Sequence, residues 1–354
     1  MFNLETQYRY KLNSMPRGKE CIGKITNTCE APFKAITIDL ESNCFICGCD
    51  GWLPIPVGKV QDFKSLNDVF NSPVAKSLQE DILDKKFTWC AVNHCGIKNN
   101  NIRFMKYEIA INIDESCNLK CPSCRRELIM HDSGLKFEEK LKDIKTIIQW
   151  LENSSDGVNI ILTGNGDPLA SHIIRPFIKN YTPKPNQIFT FVTNGLLIKK
   201  HLVDSPIFHQ IKNYRISVDA GSAESYALTR GANWSVLLEN FNFLVEHKKQ
   251  ELVTLNFCVQ KNNYKDIPNF IKLCADYGFY GNIHQLDDWG TWPGIMPENP
   301  DVWTIKNGTF LDHNVLDYSH PEFADCRDIV KTELSRLSNN RILFSGRLKE
   351  LLNL

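Results

Sequence analysis

From Tyr107 onward the chain alternates short β-rich runs with helix-like stretches, and that alternation leaves few folds open. The runs 107–113, 159–163, 188–193, 214–219, 253–260 and 282–287 carry the apolar pattern and β-branched enrichment of strands. Between them, 137–152, 171–180, 196–203, 223–249 and 264–277 place apolar residues at helical spacing. Six strands alternating with helices predict parallel βαβ units with right-handed crossovers. The expected class is α/β, a partial (β/α)6 TIM-like barrel. In such barrels the chemistry gathers at the carboxyl ends of the strands, so the loops there are searched first. Ahead of the barrel, Ala35–Leu40 and Phe45–Cys47 predict a hairpin around Glu41-Ser42-Asn43. Ser65 and Ser72 stand as N-caps of two helical stretches. This region, 21–100, is expected to form a small cysteine-rich α+β module. Residues 1–20 read as a leader. The barrel is expected over 103–290, and 291–354 form a C-terminal extension with a helical stretch at 325–337.

Composition matters mainly for what it excludes. At 354 residues with a formal charge of zero, the chain has room for two domains and no global field toward nucleic acid or acidic lipid. The polar start is no secretory signal, and no apolar run reaches the roughly 18 residues of a spanning helix. The expectation is a cytoplasmic protein with neither nucleic acid nor membrane as partner. Thirteen cysteines then need an explanation. Seven lie between Cys21 and Cys95, three between Cys117 and Cys124, and Cys258, Cys274 and Cys326 follow. Clustered thiols in a reducing compartment bind metal more often than they form disulfides.

The densest group is Cys117-Asn118-Leu119-Lys120-Cys121-Pro122-Ser123-Cys124, directly after the first barrel strand. Three thiolates leave one iron of a [4Fe–4S] cluster open, since such a cluster normally takes four. A structural zinc site is the plainer alternative. After the second strand comes Leu162-Thr163-Gly164-Asn165-Gly166-Asp167-Pro168-Leu169, whose glycines let backbone approach a ligand closely. The third strand ends in Thr193-Asn194-Gly195 and the fourth in Ser217-Val218-Asp219-Ala220. Ser217 and Asp219 fall on one side of an alternating strand. The plain reading of Asn194 and Asp219 is turn and cap chemistry.

Taken in order, the triplet and these strand ends resemble the radical SAM enzymes. The resemblance implies a [4Fe–4S] cluster on Cys117, Cys121 and Cys124, whose open iron chelates the amino and carboxylate groups of S-adenosylmethionine. It also implies cofactor contacts from Gly164, Gly166, Asp167 and Pro168, the counterpart of a Gly-Gly-Glu-Pro motif, with Asp167 where the family more often has Glu. Asn194, Ser217 and Asp219 would line the ribose and methionine moieties, and Arg230 is a candidate for a carboxylate or substrate contact. Ser123 stands where the family often has an aromatic residue over the adenine, so the adenine must be held by other groups. The first cysteine region is similar to a SPASM or twitch module, which usually follows the barrel rather than preceding it. The likeness implies an auxiliary [4Fe–4S] cluster on Cys29, Cys47, Cys90 and Cys95, with Cys49 a rival to Cys47. Cys21 and Cys44 remain as free thiols, and a four-cysteine zinc site is the alternative.

The reaction so implied is reductive cleavage of S-adenosylmethionine to a 5′-deoxyadenosyl radical that takes hydrogen from a substrate. That substrate would be a small molecule or a peptide, and the enzyme an oxidoreductase or a modifying enzyme. An external one-electron reductant such as flavodoxin or ferredoxin would feed it. Catalytic candidates beyond the cofactor are Cys258 and Cys326, as hydrogen-atom donors, and Asp287 in the loop after the sixth strand. The competing reading is a non-catalytic iron–sulfur electron-transfer protein or a zinc-binding structural protein.

Overall fold

The structure, a computed structural model, describes residues 25–47, 53–92, 95, 97, 100–125, 127–163, 165–286, 310–337, 341–345 and 348. One ten-stranded sheet organises them. In chain order its strands are β1 (Ala35–Ile38), β2 (Asn43–Phe45), β3 (Gly58–Lys59), β4 (Tyr107–Ile111), β5 (Val158–Leu162), β6 (Gln187–Thr193), β7 (Ile211–Ser217), β8 (Val253–Val259), β9 (Tyr280–Gln285) and β10 (Ile342–Phe344). In space they run β10-β9-β8-β7-β6-β5-β4-β1-β2-β3. The six predicted barrel strands, β4 to β9, are neighbours in chain order and pair in parallel. The α/β class and the partial barrel are therefore as the alternation predicted.

Two pairings extend the barrel beyond those six strands. β1 lies parallel to β4, with Ala35 opposite Glu108 and Ile38 opposite Ile111, and β10 lies parallel to β9. The predicted hairpin is present, antiparallel, but its return strand is Asn43–Phe45 rather than 45–47. Ser42 makes the turn at φ 61. The cysteine-rich segment and the barrel thus share one sheet.

Helices over the outer face follow the predicted order, with shifted ends. Leu135–Asn153 turns Ile144, Ile147, Trp150 and Leu151 inward, and the Trp150 indole N–H donates to the Phe63 carbonyl at 3.1 Å. The single helix expected over 223–249 is two, Ala223–Thr229 and Trp234–Glu246. Gly231 at φ 61 breaks it, and the Asn233 side chain caps the second piece by accepting from the Ser235 N–H. The helix expected from 171 begins at Arg175, because the Ser171 hydroxyl takes the Ile173 and Ile174 N–H groups into a turn.

The two faces of the sheet differ sharply. Ile109, Ile111, Ile160, Leu162, Phe189, Phe191, Tyr214, Ile216, Leu255, Phe257 and Val259 point outward and are fully buried in the main core. A fully buried side chain of this kind contributes roughly 1.5–3 kcal/mol, so this face fixes the register. The opposite, concave face carries Glu108, Asn112, Asn159, Thr190, Asn213, Arg215, Ser217, Thr254, Asn256, Cys258, Asn282 and His284, most of them half-buried or exposed. Some bond across strands: Asn159 Nδ2 to Glu108 Oε1 at 3.1 Å, and Asn282 Nδ2 to Asn256 Oδ1 at 3.0 Å. A polar inner face is unlike a packed barrel core. It is a surface made to meet something polar.

Candidate functional site

The loop after β4 folds back over the strand ends and encloses, with the ends of β5, β6 and β7, a cavity of about 380 Å³. Cys117, Cys121 and Cys124 line it, together with Gly166, Asp167, Asn194, Ser217 and Arg230. Residues far apart in sequence thus share one space. Ser123 also lines the cavity, at the position without an aromatic ring.

Cys117 and Cys121 each meet a donor. The Leu119 N–H points at Cys117 Sγ at 3.4 Å, and Asn194 Nδ2 lies 3.9 Å from the same sulfur. Arg230 Nη1 approaches Cys121 Sγ at 3.7 Å. Burial pushes the Cys117 thiol up to about 11, against the pull of the Leu119 N–H and Arg125. Cys121 is also raised by burial, and the Arg230 guanidinium pulls it back. Donors and cations around a buried sulfur favour the thiolate, the form that binds metal.

Asp167 is occupied by the protein itself. One carboxylate oxygen accepts from Thr193 Oγ1 at 2.8 Å and the Asn194 N–H at 2.7 Å; the other accepts from the Leu169 N–H at 2.9 Å. Its own N–H donates to the Ser116 carbonyl at 2.8 Å. The side chain is 2% exposed, and burial raises its pKa against those hydrogen bonds. Asp167 therefore latches the glycine loop to the end of β6 and to the cysteine loop. Asp167→Asn turns a donor toward the Asn194 N–H, and the cost of the lost acceptor is about 1–3 kcal/mol. Urea unfolding measures it; an unchanged midpoint would remove the latch role.

Asp219 departs from the alternation expected of it. β7 ends at Ser217, and Asp219 adopts φ 55, a left-handed conformation that Asp tolerates better than most side chains. Its carboxylate forms a buried ion pair with Arg230 Nη2 at 2.6 Å and accepts the Cys258 N–H at 2.8 Å. Asp219 thus orients Arg230, while Ser217 and Arg230 line the cavity.

Arg125, beside the third cysteine, was not singled out by sequence. Its guanidinium donates to the Glu115 carbonyl at 2.7 Å and to the Asn165 carbonyl, clamping the cysteine loop to the glycine loop. Adjacency to Cys124 was the available signal.

Residues 111–274 match the family model described as the radical SAM superfamily. Over that stretch, from the end of β4 to the helix before β9, the chain is similar to the family. A probable GTP 3',8-cyclase of Methanocaldococcus jannaschii is 25% identical over 171 residues, 48% of this chain and 55% of that protein. The chain thus spans about half the length of that curated relative. Among solved structures, SuiB of Streptococcus suis bound to precursor peptide SuiA is similar, at 15% identity and TM-score 0.44, covering 82% of this chain and 57% of that one. anSMEcpe with bound AdoMet is similar at 19% identity and TM-score 0.36, covering 51% of this chain and 52% of that one.

Apart from that cavity, the N-terminal cysteines form a second group. Burial pushes the Cys90 thiol well up, and Cys47, Cys29 and Cys95 each add to the rise. Cys90 is thus the thiol that feels the other three. Cys29, Cys90 and Cys95 pack on a small cluster of Ile25, Ile82, Phe87, Val92 and Ile97. Cys44 is fully buried away from them, raised by burial and by Asp39, Asp62 and Asp143. Among the described residues no three Cys, His, Asp or Glu side chains converge to hold one metal ion.

The remaining candidates fall as follows. Cys258 is half-buried on the concave face, its Sγ 3.5 Å from the Gln285 carbonyl. Cys326 is fully buried in the main core; the polar text around it in sequence belongs to the other faces of its helix. Pro168 is buried and does not line the cavity. Cys21, Cys49, Gly164 and Asp287 lie outside the described residues. Among the described residues no helix is long and apolar enough to cross a membrane.

Proposed function

We propose that this protein is a radical SAM enzyme that abstracts hydrogen from a polar substrate held against the concave face of the sheet. The observation that carries the reading is three thiols, a glycine loop and the ends of β6 and β7 around one cavity of about 380 Å³. The donor set fits the cofactor: Cys117, Cys121 and Cys124 would hold a [4Fe–4S] cluster, and among the described residues no fourth sulfur lines the cavity. When bound, the cluster and S-adenosylmethionine supply reductive cleavage to methionine and a 5′-deoxyadenosyl radical. Around them, the chain's own groups bind and orient. The Arg230 guanidinium, held by Asp219, presents positive charge toward the cofactor's carboxylate. Asn194 bridges the two loops through Asn118 Oδ1 at 2.8 Å, and Gly166 lets the glycine loop close onto the backbone of Glu115 and Ser116. Ser217, on the cavity wall, would meet the cofactor's ribose.

Cys29, Cys47, Cys90 and Cys95 would hold an auxiliary [4Fe–4S] cluster. Four thiols are the ligand number of a four-iron cage, whose ligands attach to separate irons, and equally of a structural zinc, and metal analysis of the purified protein tells the two apart. The external reductant is a small electron-transfer protein of the flavodoxin or ferredoxin kind, and the substrate a peptide or small molecule. Anaerobically reconstituted protein with dithionite and S-adenosylmethionine is expected to release 5′-deoxyadenosine. Iron incorporation without that nucleoside would favour an electron-transfer protein instead.

A further inference from the structure

Two arginines line the cavity, Arg125 and Arg230, and a third, Arg215, stands on the strand beside it; their surroundings differ. Arg230 is paired with Asp219, and Arg125 is satisfied by two carbonyls. Arg215 is exposed in the middle of β7 and forms no ion pair with any described residue. Its position is fixed by register: it lies between Val192 of β6 and Thr254 of β8. Val192 and Ser217 both line the cavity. Adjacent strands are about 4.8 Å apart and two residues along a strand span roughly 6.6 Å, so the Arg215 side chain starts within its own length of the cavity wall. Glu108, the acid on the same face, is engaged by Asn159, and Asp219, two residues past the end of β7, by Arg230.

We propose that Arg215 anchors an oxyanion of the substrate, a carboxylate or a phosphate, on the concave face beside the cofactor cavity. This substrate role rests on the radical SAM reading above. A guanidinium offers a planar fork that matches either oxyanion bidentately. An apolar substrate covering this face would strip water from Arg215 and return nothing, a heavily unfavourable arrangement. The neighbours suit a hydrogen-bonding guest: Asn256 stands opposite Ser217 and Asn282 in register, and His284 opposite Cys258. Arg215 is thus a specificity determinant, selecting substrates by charge and placing them where a hydrogen atom is within reach.

Two experiments test this. In the anaerobic holoprotein, phenylglyoxal labelling followed by peptide mass spectrometry compares Arg215 with Arg336, an exposed arginine on the helix Phe323–Arg336. Inorganic phosphate and acetate, each at constant ionic strength, are expected to slow labelling of Arg215 several-fold and leave Arg336 unchanged. Equal effects on both, or none on Arg215, would overturn the anion site, and this readout needs no turnover. The second experiment follows deuterium into 5′-deoxyadenosine from matched pairs: peptide acids against their amides, and sugar phosphates against free sugars. Wild type is expected to prefer the anionic member, and the pair that transfers tells carboxylate from phosphate. Arg215→Gln is expected to lose that preference while binding S-adenosylmethionine with wild-type affinity, and Arg215→Lys to restore part of it. Equal transfer from neutral members, or weakened cofactor binding by Arg215→Gln, would overturn the assignment. Wild type that releases no 5′-deoxyadenosine would instead overturn the enzymatic reading beneath it.

Discussion

Cys121→Ala is expected to abolish 5′-deoxyadenosine formation. Cys121 is 6% exposed, lies on the cavity wall, and faces Arg230 at 3.7 Å. A three-thiolate site has no spare ligand: with two remaining, a second iron opens and the cluster is lost. Iron should fall from about eight to about four per chain, the auxiliary cage remaining. Cys90→Ala is the matched control. It also removes about four irons but should leave cofactor cleavage partly intact while product formation stops. Chromatography of the nucleoside and an iron assay read both variants, and equal loss of cleavage from the two would contradict separate roles.

Gly166→Ala is expected to abolish cofactor binding as well as to destabilise the chain. A Cβ there would fall 2.6 Å from the backbone of Glu115 and closer still to the Ser116 carbonyl. None of these atoms can swing aside as a side-chain tip would, so the glycine loop must lift off the cysteine loop. Overpacking of this kind costs about 1–3 kcal/mol or more. The lift also breaks the bond from the Asp167 N–H to the Ser116 carbonyl. Gly157→Ala is the control, since its Cβ would meet the Lys106 side chain at 3.4 Å, an ordinary contact. Equilibrium dialysis with labelled S-adenosylmethionine and urea unfolding separate binding from stability. Wild-type binding by Gly166→Ala would show that the two loops need not touch.

The sequence was informative where periodicity is local and uninformative where pairing is remote. β4 to β9 could be read because each strand is buried on one face and its spacing shows it. The place of β1 beside β4 and of β10 beside β9 could not, since a parallel partner far along the chain leaves no mark on a four-residue strand. The break at Gly231 was hidden inside an apolar run, although the glycine itself was visible. In the site, the cysteines and glycines were legible as residue types with a chemistry attached. Asp167 was not, because its carboxylate is consumed by Thr193, Asn194 and Leu169, and only three dimensions reveal that. Asp219 misled for a related reason. The alternation that placed it beside Ser217 ends two residues short of it, and a left-handed backbone turns it to Arg230. Arg215 looked like ordinary strand text until the polar face was seen whole.

Mössbauer spectroscopy of protein reconstituted with ⁵⁷Fe, recorded before and after addition of S-adenosylmethionine, addresses the open vertex most directly. With Cys117, Cys121 and Cys124 holding one cage and four other cysteines holding a second, about one iron in eight should change its isomer shift on adding the cofactor. A spectrum that the cofactor leaves untouched would mean that every iron is already closed by protein, and would contradict a cofactor-binding cluster at this cavity.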